Sequence, residues 1–422
     1  MRFFYTIIFY LLLPFILLRL WIKNRHNPAG LQFWYERLGI GLRLAPSGGI
    51  WLHAVSVGES LTAIPLIKAL QLRYPAIPIV VTNETINGAE RIRVGLGNSV
   101  TRLYFPYDLP LILKKFFNKL RPRLLILLET ELWPNLLATC HLYQVPVILI
   151  NGRLSERSAR AYRRILPVTQ RMLKSINLLA AQFQADADRF MALGLPKDRI
   201  HVTGNLKFDL KLPPQLSTEA KKLRAHWGKD RLVWIAASTH PGEEELIAEA
   251  FSQVQSCLAN VLLVSVPRHV ERAAQLEYLY RSQGLEVIKR SQQKPSTSTT
   301  DVFIGDTMGE LLSFYAAADL AFVGGSLVEK GGQNPLEPAA VGLAILTGPY
   351  TFNFESITEQ LKQRGIEIQV NNAQELAKQV VFLLSNPAKR QQMGKDAKKF
   401  VQENKGVVLK QMQLIENFIN LS

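Results

Sequence analysis

The chain has 422 residues, 48% of them hydrophobic and 20% charged, enough for two domains with cores of ordinary size. Its two cysteines, Cys140 and Cys257, lie far apart and exclude a disulfide framework, and its seven histidines show no ligand spacing, so a metal enzyme is not expected. The net charge of +16 is uneven: residues 1–200 carry 26 Lys and Arg against 11 Asp and Glu, the remainder 24 against 23, so the first half is expected to face a membrane surface, an anionic lipid or a nucleic acid.

Phe3 to Leu18 is an apolar run broken only by Thr6 and Pro14, and beyond Arg19 it resumes with Leu20, Trp21 and Ile22. With Arg19 snorkelling, about 20 residues can enter a bilayer, the length a spanning helix needs. No small-x-small pattern precedes the charged flank, which points to a retained anchor rather than a removed signal peptide. Lys23 and Arg25 follow the run while Arg2 and the terminal amine precede it, so the positive-inside rule places the body in the cytoplasm. The segment is short and holds a proline, and both a spanning and a one-leaflet placement fit it.

From Gly48 onward short apolar runs predict strands at Ile50–Val55, Ile79–Thr82, Arg102–Phe105, Leu124–Leu128, Val145–Ile150 and Leu178–Ala181, with helical stretches such as Leu61–Leu72 and Leu109–Leu120 between them. This alternation predicts a parallel, doubly wound sheet, whose ligands sit beyond the carboxyl ends of the strands. Two such ends carry acids. Glu59 follows the first strand in Val55-Ser56-Val57-Gly58-Glu59, where a carboxylate can serve as a general base toward an alcohol or simply cap a helix. Glu129 and Glu131 follow the fourth strand, and acids this near one another shift each other's proton affinity. Arg153 to Lys174 holds seven basic residues and one acid among apolar positions, a basic amphipathic helix suited to an anionic membrane surface, with Pro167 expected to kink or divide it.

Lys207 stands before the Pro213–Pro214 linker, where a cation can steady a phosphate or carboxylate. A second strand–helix series follows, with strands predicted at Leu232–Ala236, Val261–Val266, Leu285–Ile288, Val302–Ile304, Leu320–Val323, Ala344–Thr347 and Ile366–Val370. Arg268, after the second of these, is a candidate for phosphate or base recognition. The stretch Ala321–Pro349 reads as strand, glycine-rich turn, proline-opened helix and strand. Its glycines suit a tight turn or a close ligand, Pro335 suits a first helical position, and free amides there would favour an anion, with Glu337 placed to accept from ribose hydroxyls. These boundaries give an anchor at 1–26, an N-terminal domain at 27–210, a C-terminal domain at 211–395 and a C-terminal helix at 396–422 that packs back toward the N-terminal domain. Aromatic and basic residues do not interleave on a strand platform, so no nucleic-acid partner is expected.

In order along the chain, HAVSVGE, ETELWPN, NGRLSERSA, GNLKFD, STHPGEEE, VPRH, GDTMGELL and GGSLVEKGGQNPLEPAA resemble the 3-deoxy-D-manno-octulosonic acid (Kdo) transferases, which add Kdo to the lipid A precursor in Gram-negative bacteria. The resemblance implies an α/β GT-B fold, two Rossmann-like domains facing a cleft, the N-terminal one for the lipid acceptor and the C-terminal one for the donor CMP-Kdo. It implies an inverting, metal-independent transfer to lipid IVA at the cytoplasmic side of the inner membrane, without a cofactor. Glu59 would be the general base, and Glu129 and Lys207 transition-state stabilisers. Pro267, Arg268, Met308, Gly309, Glu310, Asn334, Pro335, Leu336 and Glu337 would hold the cytidylate. Three positions depart from the family pattern. Gln333 stands where histidine is frequent, Gly152 where alanine is frequent, and the 82–88 loop, which would border the acceptor, reads TNETING.

Overall fold

The computed structural model describes residues 2–24, 30–42 and 45–419. Arg25, part of the basic flank of the anchor, lies outside these residues, as do Leu421 and the side chains of Leu20 and Lys23. The chain divides into two compact units: unit 1 is Met1–Asp209 with Gly406–Ser422, and unit 2 is Leu210–Lys405.

Among the described residues each unit holds one seven-stranded parallel sheet. Unit 1 contains β1 (Ile50–His53), β2 (Ile79–Asn83), β3 (Thr101–Tyr104), β4 (Leu124–Leu128), β5 (Val147–Gly152), β6 (Leu178–Ala181) and β7 (Ile200–Val202), in the order β3-β2-β1-β4-β5-β6-β7. Unit 2 contains β8 (Leu232–Thr239), β9 (Val261–Pro267), β10 (Val287–Lys289), β11 (Val302–Ile304), β12 (Leu320–Val323), β13 (Ala344–Thr347) and β14 (Glu367–Gln369), in the order β10-β11-β9-β8-β12-β13-β14. The strands read as unbroken apolar runs because both faces are covered. Trp51, Leu125 and Leu127 pack into one core layer of unit 1, while Ile50, Leu52, Leu124, Ile126 and Leu128 pack into the other. Strand order reverses between β1 and β4 in unit 1 and between β8 and β12 in unit 2, the switch points where doubly wound sheets bind ligands.

The N-terminal helix, Arg2–Asn24, is apolar and long enough by length and composition to cross a membrane. One face docks on unit 1: Phe9, Leu13, Ile16 and Leu17 pack against its core, and the Thr6 hydroxyl and the Asn135 amide hydrogen-bond at 3.0–3.1 Å. The other face, with Phe4, Ile8, Leu11, Phe15, Leu18 and Ile22, is exposed. Spacings of three and four residues on both faces make the helix two-sided. The basic stretch forms two helices, Glu156–Arg164 and Leu166–Lys174, with Pro167 in the first turn of the second.

The helix Pro387–Glu403 runs through residue 396 and belongs to unit 2, since Phe400 and Val401 are buried there. The chain returns to unit 1 at Gly406, and Val407, Met412, Ile415 and Ile419 of the last helix, Val407–Ile419, join the core layer of Ile50 and Leu66. Asp209 fixes this return: its carboxylate accepts hydrogen bonds from the amides of Gly406 and Val408, each at 2.6 Å. These are orphan donors of a helix start. Asp209→Ala is therefore expected to lower stability by about 1–2 kcal/mol and to speed amide exchange in 407–419 with little change in unit 2. Unchanged protection of that helix would refute the role.

Candidate active site

β1 ends at His53, and the helix Val57–Arg73 begins four residues later. Ser56 is its N-cap: the Ser56 hydroxyl accepts from the Glu59 amide at 3.2 Å, and the Glu59 carboxylate accepts from the amides of Val55 (2.8 Å) and Ser56 (3.3 Å) and from the Ser56 hydroxyl (2.8 Å). The capping role and the base role weighed from sequence are thus compatible, since capping fixes a carboxylate that is 7% exposed. Burial and the neighbouring Glu129 raise the proton affinity of Glu59, while its hydrogen bonds work the other way. A carboxylate tuned upward is a better base at neutral pH.

β4 lies beside β1, so its carboxyl end meets the same edge. Glu129 follows it with φ of +56°, a left-handed conformation a side chain rarely adopts, and its amide donates to the Ile150 carbonyl at 3.0 Å. Such backbone costs of order 1–3 kcal/mol and clusters at functional sites. Glu131 accepts from the Trp133 indole at 2.9 Å. Burial and the charges of Glu59, Glu84 and Glu129 push it up to about 8. Lys207 reaches the same neighbourhood from beyond β7. It is half-buried; burial lowers its proton affinity, Glu129 and Glu59 raise it, and Arg153 lowers it. Its backbone is set by a buried relay: the Lys207 amide donates to Asn205 Oδ1 (3.0 Å), Asn205 Nδ2 to Gln182 Oε1 (2.8 Å), Gln182 Nε2 to the Asn151 carbonyl (2.9 Å), and the Leu206 amide to Asn151 Oδ1 (2.9 Å). Unit 1 therefore brings Glu59, Glu129 and Glu131 together, as expected from their positions at strand ends, and joins to them Lys207, read from sequence as a residue before the linker, and Glu84.

His53, in the same motif as Glu59, is fully buried, stacks on Phe105 with ring centroids 3.8 Å apart and is hydrogen-bonded through Nδ1 to Thr82. Burial pushes its imidazole down to about 3, so it stays neutral. Of the 82–88 stretch, Thr82 and Asn83 end β2 and Thr85 caps the helix Ile86–Leu96; Asn83 Nδ2 donates to the Ala54 carbonyl (2.7 Å) and the Ser60 hydroxyl (2.9 Å).

Unit 2 gathers its polar residues at the ends of β8, β9, β11 and β12. Pro267 closes β9, and the Arg268 amide donates to the Thr239 carbonyl at 3.0 Å. Arg268 lies near Glu337: burial raises the proton affinity of Glu337, and Asn334 Nδ2 (3.2 Å) and Arg268 offset this. Glu310 opposes burial through Arg290, 2.8 Å away, and the Thr307 hydroxyl, which hold its carboxylate below the ordinary range. Met308 is exposed, and Gly309 has φ of +85°.

Two expectations for the glycine-rich stretch need correction. Pro335 is the N-cap, not the first helical residue, and the helix Leu336–Val341 has only six residues; its Leu336 amide is taken by Asn334 Oδ1 at 3.1 Å, so it offers no open row of amides. The turn after β12 closes around a protein carboxylate instead. Glu243 is fully buried and accepts from the amides of Gly325 (2.7 Å), Ser326 (3.0 Å) and Leu327 (2.9 Å). At Gly324 a Cβ would meet Glu243 Oε2 at 2.9 Å and the Ser238 carbonyl at 2.8 Å, which accounts for glycine there. Gln333, the departure from the family pattern, sets its side-chain amide 3.3 Å from His240 Nε2.

Two doubly wound parallel units of this order define the GT-B fold class. The fold is shared with solved structures: an Anabaena protein in complex with UDP matches 88% of this chain and 100% of its own at 14% identity with a TM-score of 0.57, and the UDP-GlcNAc 2-epimerase of Neisseria meningitidis matches 86% and 100% at 13% identity with a TM-score of 0.55. At such identities the likeness speaks for the fold alone. A family model for 3-deoxy-D-manno-octulosonic-acid transferase matches residues 32–210, and one for glycosyl transferases group 1 matches residues 283–400. The 3-deoxy-D-manno-octulosonic acid transferase of Haemophilus influenzae is 38% identical over 99% of both chains, and that of Bordetella pertussis 32% identical over 96% of both. The chain belongs to the Kdo transferases and acts in Kdo transfer for lipopolysaccharide synthesis.

The raised proton affinity of Glu131 has a measurable sign. Its folded-state affinity exceeds the unfolded one, so its contribution to stability is full below the ordinary glutamate range and is lost as the pH rises toward about 8. Glu131→Gln keeps an acceptor for Trp133 but carries no titrating proton. Melting temperatures measured from acidic to mildly alkaline pH should fall more steeply for the wild type than for the variant. Parallel curves would refute the assignment.

Proposed function

We propose that the chain moves Kdo from CMP-Kdo to a hydroxyl of lipid IVA, with Glu59 as general base and inversion at the anomeric carbon. The observation that carries this reading is the buried Glu59 carboxylate, held by two backbone amides at the switch point of unit 1 and raised in proton affinity by burial and Glu129. As the acceptor oxygen bonds to the anomeric carbon, its proton passes to Glu59. The bond from that carbon to the phosphate oxygen breaks on the opposite side, and CMP leaves with the electron pair. The Lys207 side chain, beside Glu129 and Glu59, offsets the negative charge that develops. Pro267, Arg268, Met308, Gly309, Glu310 and Asn334 to Glu337 hold the cytidylate in unit 2. Since Glu243 fills the amides of the glycine turn, side chains such as Arg268 carry anion recognition there. No metal or cofactor takes part in this scheme.

The reading extends to the inner membrane, with the catalytic units on its cytoplasmic side. A helix docked along one face through Thr6, Phe9, Leu13, Ile16 and Leu17 is suited to lie in one leaflet with its other face in the acyl region. Arg157, Arg160, Arg163 and Arg164 are exposed on the helix Glu156–Arg164 and suit an anionic surface.

Glu59→Gln should fold, with a loss of about 1 kcal/mol from the weakened cap, and should still be stabilised by CMP but not by UDP. Its transfer rate, followed by mass spectrometry of the lipid product, should fall about 10²–10⁴-fold. Wild-type turnover would exclude Glu59 as the base. Changing the four arginines together to glutamate should weaken sedimentation with anionic vesicles and leave binding to CMP intact. Equal sedimentation would remove the membrane role of that helix.

A further inference from the structure

Where the docked helix begins, unit 1 holds a cavity of about 330 Å³ that the catalytic group does not use. Arg2 enters it from the N-terminal helix, His141 from the helix Pro134–Leu142, and Arg171 and Ser175 from the end of the helix Leu166–Lys174. Leu137 and Met172 give it an apolar wall, and none of its described lining residues is acidic. Arg2 also interacts electrostatically with the buried Asp108 carboxylate, which is not among the lining residues. Three nitrogen-bearing side chains from three separate helices converge on one hollow, with a serine hydroxyl beside them. Guanidinium and imidazole groups so placed match the oxygens of a phosphate.

We propose that this cavity binds the glycerophosphate head of one anionic phospholipid, whose acyl chains lie along the exposed face of the N-terminal helix. The size argues for a head group, since the volume lies at the small end of the range for ligand pockets, about 300–1,000 Å³. The surroundings argue for a lipid over a soluble phosphate. Phe3, Phe4 and Leu11 are 67–71% exposed on the helix that supplies Arg2, so apolar surface continues from the lip of the cavity. The site rests on the membrane placement proposed above, but it makes a separate claim: a discrete, saturable lipid contact rather than a general attraction of charge.

The test uses the full chain in nonionic detergent, titrated calorimetrically with dihexanoyl phosphatidylglycerol, dihexanoyl phosphatidylcholine and glycerol 3-phosphate. The anionic lipid should bind saturably, and the other two at least about tenfold more weakly. Arg2→Gln and Arg171→Gln should each weaken it by about tenfold, whereas Lys114→Gln, which removes one exposed charge elsewhere in unit 1, should not. Equal binding of the two lipids, equal binding of glycerol 3-phosphate, or wild-type affinity in Arg171→Gln would overturn the proposal. Sedimentation with vesicles of phosphatidylcholine and phosphatidylglycerol reports the membrane placement independently. Vesicle binding retained alongside any of those overturning results would sink this site alone.

Discussion

The chemistry of unit 1 depends on keeping several carboxylates close together and away from water. Glu59, Glu84, Glu129 and Glu131 would repel one another if all were charged, and burial adds to the cost of each charge. The fold answers in three ways. The first is local: Ser56 and the amides of Val55 and Ser56 stabilise Glu59 as an anion. The second is a cation, Lys207, set in place by the buried amide relay through Asn205, Gln182 and Asn151. The third is at Glu131, whose proton affinity burial and the neighbouring acids push up to about 8. The proton affinity of each group follows from its burial and its neighbours rather than from any residue alone.

The two units use the same architecture in different ways at their switch points. In unit 1 a helix carboxylate turns back on its own cap, three and four residues upstream, and remains at the edge where ligands bind. In unit 2 Glu245 caps its own helix by accepting from the Gly242 amide at 3.0 Å, while Glu243 reaches across to the turn after β12 and occupies its amides. The glycines of that turn thus serve close packing between β8, β12 and the helix Glu243–Cys257. Recognition of an anion in unit 2 then falls to side chains, and the proximity of Arg268 to Glu337 and of Asn334 to Glu337 makes them a connected set. Glu310 belongs to a separate pair with Arg290, so the residues assigned to the donor form two groups by contact.

Much of this was legible in the sequence, and the parts that were not share a cause. Strands such as Leu124–Leu128 and Leu320–Val323 announce themselves because burial on both faces demands an unbroken apolar run. β7 was missed because it is three residues long with His201 and Val202 exposed, so no pattern marks it. Glu59 and Glu129 could be singled out because topology puts every strand end on one edge. The role of Glu243 could not, since its partners lie more than eighty residues downstream in sequence. The raised proton affinity of Glu131 was foreshadowed only as mutual influence between neighbouring acids; its extent depends on how much water the fold removes. Pro335 shows the limit of local rules: proline suits a first helical turn, but the Asn334 side chain had already taken the next amide.

The segment from Glu129 to Asn135 ties these themes to the N-terminal helix. It leaves β4 in a strained left-handed residue, passes Glu131, and seats Trp133 between that acid and Phe105. It then opens the helix Pro134–Leu142, whose first amides, those of Asn135 and Leu136, are held by the buried carboxylate of Asp108 at 3.0 and 2.7 Å. The Asn135 side chain spans from the Asp108 carbonyl to Thr6 of the N-terminal helix. Seven residues therefore link the acid cluster to the docked apolar helix through hydrogen bonds that leave little freedom at either end. Positioning errors of about 1 Å already cost rate in catalysis, so a firm link between these carboxylates and the docked helix limits how far one moves relative to the other. A helix joined to the chain by a loose linker would not supply that constraint, whereas one bonded to the segment that carries Glu129 and Glu131 does.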